Sequence, residues 1–301
     1  MLSRRCALTG ALGLAACQAK VTLPPPEPVP IRDRRIAAIE ARIGGPVGLF
    51  ALNTANGAAL AHRAHERFAR CSTFKLLLAA QILHMDQGRP GLLSEPIFYG
   101  EDELLSYAPV TRERFGASPD GRGRMTVEEL CAATVITSDN SAANLLMAGP
   151  GMGPEGLTRF LRAIGDGVTR LDRYEIELND VQPGDERDTT TPDAIVRAMA
   201  RLLVDEDVLN PASREKLISW MVDSPTGRSR LRAGLPADWR AGDKTGTWPG
   251  EPNAANDVAI AWPPQRAPIL IACYLSASAV EPAERNAAHA EIARIVVEDW
   301  G

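Results

Sequence analysis

The chain has 301 residues, 45% of them apolar and 24% charged, which suits a soluble globular protein with one large core or two modest ones. A net charge of −5 and the lack of any basic run exclude nucleic acid as the main partner. The cysteines follow neither metal-site nor disulfide-framework spacing, and Cys131 and Cys273 read as buried small hydrophobes.

The N-terminus reads as an address rather than as part of the fold. Arg4-Arg5 precede the apolar stretch Ala7 to Ala16, half the length of the ~20 residues a spanning helix needs. Residues 1–16 are therefore expected to be a signal peptide, and the protein to be exported to the periplasm. Leu14-Ala15-Ala16-Cys17 resembles a bacterial lipoprotein processing site, with Cys17 as the lipidated residue; a plain secretory signal with an incidental cysteine is the alternative. Ser3-Arg4-Arg5 resembles a twin-arginine export signal. Val21 to Pro30 is proline-rich and should be extended, so residues 17–30 read as anchor and tether, with membrane contact through Cys17 only.

Downstream, Ile36, Ile39 and Ile43 recur at helical spacing and predict a helix from Ile31 to Ile43. Val47 to Leu52 and Ala58 to His62 read as strands joined by the turn Asn56-Gly57. Phe74 to Leu83 is apolar on nearly every side, the mark of a helix in the middle of a domain. Thr126-Val127-Glu128-Glu129 is a capping box opening a helix to about Ile136, and Gly153-Pro154 opens another that ends before Gly165. Residues 166–190 are polar and aperiodic, and a loop of that length inside a domain is usually functional or disordered. Thr191-Pro192 and Asn210-Pro211 cap helices running to about Leu203 and Val222. Arg240 to Thr247, Asp257 to Trp262 and Ile269 to Leu275 read as consecutive strands, and Ile292, Ile295, Val296 and Trp300 mark a closing helix. This order predicts an α+β fold: an antiparallel sheet flanked by the N- and C-terminal helices, plus a central all-helical lobe. Residues 31–62 and 222–301 would form the α/β lobe and 63–221 the all-α lobe, with the active site between them.

Three short polar motifs carry the chemistry. In Ser72-Thr73-Phe74-Lys75, Ser72 and Lys75 lie one turn apart at the start of the apolar helix, where free N–H groups favour developing negative charge. A desolvated Lys75 can lose its proton and activate the hydroxyl. Such a motif alone is weak: Ser213-Arg214-Glu215-Lys216 is a second copy, on an exposed-looking helix without partners. In Ser138-Asp139-Asn140, Ser138 can carry a proton towards a leaving group and Asn140 can hold a substrate amide, or the segment is only an interhelical cap. In Lys244-Thr245-Gly246, Lys244 and Thr245 suit an anionic substrate group and Gly246 allows close backbone approach; a surface strand with a bulge is the bland alternative. His62-Arg63-Ala64-His65 is a poor metal motif and reads as a solvated hairpin end, and no histidine pairs with a serine or cysteine elbow.

With these motifs in this order, the chain resembles the class A serine β-lactamases of the penicillin-binding-protein/β-lactamase superfamily over roughly residues 31–301. Leu171-Asp172-Arg173-Tyr174-Glu175-Ile176-Glu177-Leu178-Asn179 is similar to the family's Ω-loop, and Asp185 to Pro192 to its closing end, with Arg173 and Asp188 matching an ion pair that pins the loop. The resemblance implies that Ser72 is acylated by the lactam carbonyl, that Glu175 and Asn179 hold the hydrolytic water, and that Lys75 or Glu175 is the acylation base. Ser138 and Lys244 would relay a proton to the lactam nitrogen, and the N–H groups of Ser72 and Thr247 would form the oxyanion hole. Tyr107 matches a gatekeeping aromatic at the mouth of the site. Asn256-Asp257 brings no arginine to the anion site, and Arg230 matches the alternative arginine some members use beside Lys244. Cys71 precedes the nucleophile as in several carbapenem-hydrolysing members, but their partner cysteine falls at Trp248 here, so that disulfide cannot form. The resemblance implies a monomer acting on a small β-lactam, without cofactor or metal. A D-alanyl-D-alanine peptidase shares much of this pattern but lacks the deacylating pair Glu175 and Asn179; a catalytically silent envelope lipoprotein is the remaining alternative.

Overall fold

A computed structural model describes residues 34–301; the expected signal peptide, Cys17 and the expected tether lie outside the described residues. The segment Ile31–Gly301 packs as one unit.

The chain opens with α1 (Arg34–Ile43) and the hairpin of β1 (Val47–Asn53) and β2 (Ala59–His62). A two-residue strand β3 (Phe68–Ala69) and a single 3₁₀ turn, Cys71–Thr73, lead into α2 (Phe74–Gly88). There follow β4 (Pro96–Tyr99), α3 (Pro109–Gly116), β5 (Gly123–Thr126), α4 (Val127–Ile136), α5 (Asn140–Ala148) and α6 (Gly153–Ala163). After a long loop come β6 (Thr189–Thr190), α7 (Pro192–Leu203) and α8 (Pro211–Asp223). Strands β7 (Arg240–Trp248), β8 (Ala254–Trp262) and β9 (Ile269–Ser276), then α9 (Pro282–Trp300), complete the fold.

The main sheet has the order β2-β1-β9-β8-β7 and is antiparallel throughout, so the first and last thirds of the chain share it. Its inner strands β1 and β9 are apolar on both faces because both faces are covered. Along β9, Ile269, Ile271, Cys273 and Leu275 join Ile36, Ile39 and Ile43 of α1 and Ile292, Ile295 and Val296 of α9 in one core. The alternate residues Leu270, Ala272 and Tyr274 face the helical core built around α2. Phe74 to Leu83 are all buried, Lys75 and Gln81 included, as a segment apolar on nearly every side predicts.

The caps behave as the sequence indicates. Thr126 Oγ1 accepts from Glu129 N, and Glu129 Oε2 accepts from Thr126 N, closing the capping box of α4. Thr191 and Asn210 accept from Ala194 N and Ser213 N at the starts of α7 and α8.

Several features differ from the sequence expectation. Four short strands lie among the central helices: β4 pairs with β5, and β3 with β6. They carry no alternation long enough to register. Helix α9 begins at Pro282, well before the predicted stretch, because alanines and His289 line the buried face of its first half. His62 is buried and paired with Glu40 Oε2 at 2.9 Å, not solvated. The Ser213–Lys216 copy does have partners: Lys216 pairs with Glu128, and Glu215 with Arg240.

Candidate active site

Ser72 sits in the 3₁₀ turn immediately before α2, two residues ahead of the helix start at Phe74. Cys71 takes a φ of 45°, a left-handed conformation that non-glycine residues adopt only under constraint. The constraint is visible. Asn256 Nδ2 of β8 donates to Ala69 O at 2.8 Å and to Arg70 O at 3.2 Å, and Arg70 N donates to Asp188 O at 3.1 Å. On the other side, a methyl group at Gly246 would come within 2.8 Å of Arg70 O and 3.2 Å of Ser72 N. Gly246 thus makes room for the nucleophile turn itself, where the sequence reading had it admit substrate. Cys71, Cys131 and Cys273 are free and buried, and burial pushes the Cys71 thiol up to about 12.

Lys75 is fully buried at the centre of the constellation. Its ammonium donates to Ser138 O at 2.8 Å and Asn140 Oδ1 at 2.5 Å, and pairs with Glu175 Oε1 at 2.9 Å. Burial lowers its proton affinity and the Glu175 charge raises it, the net direction being down. Three strong acceptors nonetheless match the three N–H groups of an ammonium, so Lys75 is read as charged at rest. Among the described residues the Ser72 hydroxyl is hydrogen-bonded to Glu175 Oε1 alone, at 3.3 Å.

Glu175 belongs to the long loop between α6 and α7. Its other oxygen accepts from Asn179 Nδ2 at 2.7 Å, while Asn179 Oδ1 is buried with no partner among the described residues. The backbone of Glu175 is gripped by Asn144 of α5, whose Nδ2 donates to Glu175 O at 2.8 Å and whose Oδ1 accepts from Glu175 N at 3.0 Å. The loop is closed by Arg173 Nε donating to the fully buried Asp188 at 2.6 Å, and by Asp188 Oδ1 accepting from Asp172 N at 2.7 Å.

Ser138 has a φ of 61° between α4 and α5. That turn lets one residue serve two lysines: its carbonyl accepts from Lys75, and its Oγ accepts from Lys244 Nζ at 2.9 Å. Asp139 is fully buried, caps α5 through Ala142 N and accepts from Val110 N and Thr111 N, fixing the start of α3. Asn140 N donates to Tyr107 O at 3.0 Å, leaving the Tyr107 ring 52% exposed.

The fourth part comes from β7, the edge strand. Burial, then repulsion from Lys75, brings the Lys244 ammonium down to about 7. Thr245 is buried beside it and Thr247 is exposed. Arg230 does not reach freely into solvent. Its Nη1 donates to Gly246 O and Asn256 O at 3.0 and 2.7 Å, its Nη2 to Thr247 Oγ1 at 2.7 Å and its Nε to Asn286 Oδ1 at 3.0 Å. Of its five N–H donors one remains, so its main contact with the site runs through Thr247.

All the candidate residues from Ser72 to Thr247 therefore meet along one line of contacts, with Tyr107 at its edge. Sequence reasoning missed Asn144, Asp139 and Asn256. Asn144 follows Asn140 by one helical turn on the same face of α5, and Asn256 is polar within an apolar strand; both signals were present but faint.

Among the described residues no cluster of three or more His, Cys, Asp or Glu is arranged to hold a metal. A sequence profile of the beta-lactamase enzyme family matches residues 31–300. The chain is 45% identical over 299 residues to beta-lactamase AST-1 of Nocardia asteroides, covering 98% of this chain and 93% of that one. It is 43% identical over 265 residues to the carbapenem-hydrolyzing beta-lactamase KPC of Klebsiella oxytoca, covering 88% and 87%. A solved ancestral class A beta-lactamase superimposes with a TM-score of 0.83 at 51% identity, covering 89% of this chain and 99% of that one. A serine hydroxyl bonded to a loop-borne glutamate that is itself paired with a buried lysine, on a chain matched over nearly its whole length, places the protein in the β-lactamase enzyme family as a class A member.

Proposed function

We propose that the protein hydrolyses the amide of penicillins and cephalosporins through an acyl-enzyme on Ser72, with Glu175 as the base in both halves of the reaction, and so confers antibiotic resistance. The observation that carries this reading is the position of Glu175 Oε1, 3.3 Å from Ser72 Oγ and 2.9 Å from Lys75 Nζ. In acylation Ser72 Oγ attacks the lactam carbonyl and its proton passes to Glu175. The C–N bond breaks, and the nitrogen takes a proton from Ser138, whose hydroxyl is 3.5 Å from Lys75 Nζ and 2.9 Å from Lys244 Nζ. The proton gained by Glu175 returns to Ser138 through Lys75, so the chain of contacts is closed. In deacylation Glu175 takes a proton from water, with the free Oδ1 of Asn179 available to orient it; the water oxygen adds to the ester carbonyl, and the acyl C–Oγ bond breaks as Glu175 returns that proton to Ser72 Oγ.

The N–H groups of Ser72 and Thr247 are assigned to the developing oxyanion. Lys244 and Thr245 take the substrate carboxylate, with Arg230 acting through Thr247 and Asn140 holding the side-chain amide. Residues 31–62 and 222–301 are read as the sheet lobe and 63–221 as the helical lobe, since Lys244 to Thr247 come from one and Ser72, Ser138 and Glu175 from the other. We further read the protein as an exported monomer tethered to the membrane at Cys17. The wild type should turn over a chromogenic cephalosporin continuously, and Ser72→Ala should abolish this with the circular dichroism spectrum unchanged. A single stoichiometric burst from the wild type would instead indicate a peptidase, and no reaction a binding protein.

A further inference from the structure

The segment between α8 and the start of β7 runs along one face of that strand, meeting every second residue. Asp243, Thr245 and Thr247 share this face by the two-residue period, while Lys244 points the other way, to Ser138. Asp243 meets Gly227 and Arg232: a methyl group on Gly227 would lie 2.0 Å from Asp243 Oδ2, and Arg232 Nη1 is 3.1 Å from Oδ1. Thr247 meets Arg230. Between them Thr245 meets Thr226, its Oγ1 donating to Thr226 Oγ1 at 2.9 Å. Thr226 Oγ1 is in turn 2.9 Å from Ser224 Oγ, which also accepts the Thr226 N–H at 3.3 Å. Ser224 is fully buried and the two contacts that flank Thr226 admit no slack, so its place is fixed. With Thr226 Oγ1 accepting from Thr245, its own proton is free to go to Ser224 Oγ, which completes a three-hydroxyl chain that ends at Thr245.

We infer that Thr226 is a positioning residue for β-lactam binding: it holds Thr245 in the rotamer that meets the substrate carboxylate. An arriving carboxylate then needs only a swing of the Thr245 hydroxyl proton away from Thr226. The Thr226 proton turns to Thr245 Oγ1 in exchange, so the chain reverses and no hydroxyl loses its partner. The role rests on the assignment of Lys244 and Thr245 to the carboxylate, and the experiment separates the two. A penicillin and its carboxylate methyl ester are compared with the wild type, Thr226→Val and Thr226→Ser.

The valine variant should raise KM for the acid about three- to tenfold, the range of one hydrogen bond, with kcat within about twofold and the ester unaffected. Serine should restore the wild-type values. An acid-to-ester ratio unchanged in Thr226→Val, whether both substrates are normal or both are impaired, overturns the inference, as does a serine variant no better than valine. If the wild type itself treats acid and ester alike, the assignment of the anion site fails and the role of Thr226 falls with it. Thr226→Ala replaces the valine variant should that protein not fold.

Discussion

At the scale of the residue, the site is a set of buried charges that restrain one another. Lys244 titrates near 7 because burial and Lys75 disfavour its charge more than Asp243, Glu175 and Asp257 favour it. Only the ammonium attracts a carboxylate, so binding takes up a proton whenever the pH exceeds 7. KM for a carboxylate-bearing lactam should therefore be flat below about pH 7 and climb towards tenfold per unit by about pH 9, while that of its methyl ester stays level. A KM for the acid that is flat across this range contradicts the assignment. Which residues carry such charges was legible, since Ser72, Lys75, Ser138, Glu175 and Lys244 stand in short motifs of recognisable order. Their supports were not. Asn144 and Asp139 act on backbone groups 28 to 31 residues away, and no spacing rule links a helix-borne amide to the main chain of a distant loop.

At the scale of the element, the readable parts were those with a strong local cause. The capping box of α4 and the Pro-led starts of α6, α7 and α8 were placed to within a residue or two because the signal lies in the few residues that form the bond, whereas the Pro-led starts of α3 and α9 were missed. The strands of the main sheet were legible from their apolar runs. Helix α3 was not: only Thr111 of its residues is buried, and it is held by the carboxylate of Asp139 rather than by an apolar stripe. From the residues alone the loop of 166–190 reads only as aperiodic sequence, and it was the family resemblance that pointed to the Arg173–Asp188 pair. The loop's order comes from Arg173 and Asp188, from the paired Asp172 and Asp188 backbone contacts, and from Asn144, all of which are long-range. Gly246 gives the same lesson in reverse: the motif was seen, but the atom it yields to belongs to the nucleophile turn.

At the scale of the whole molecule, the sheet joins the two ends of the chain and sets β7 beside the turn that carries Ser72, so chemistry arises between segments more than a hundred residues apart. Among the described residues no helix is long and apolar enough to cross a membrane, and the attachment proposed above is through Cys17. Cys17→Ser should move the protein from the membrane to the soluble fraction on fractionation; equal membrane association of variant and wild type would refute anchoring there. The central claim is that this assembly runs in two steps with different needs. A strained lactam still opens without Glu175, only more slowly, but the resulting ester must be attacked by water from a fixed direction, and general-base help there is worth about 100- to 10,000-fold. Glu175 is buried against Ser72 and Asn179, whereas Glu177 is exposed on the same loop. The direct test is intact mass spectrometry of Glu175→Ala after mixing with a penicillin. A covalent penicilloyl adduct that persists on Ser72, alongside continued turnover by Glu177→Ala, is the expected result, and normal steady-state hydrolysis by Glu175→Ala would contradict the two-step account.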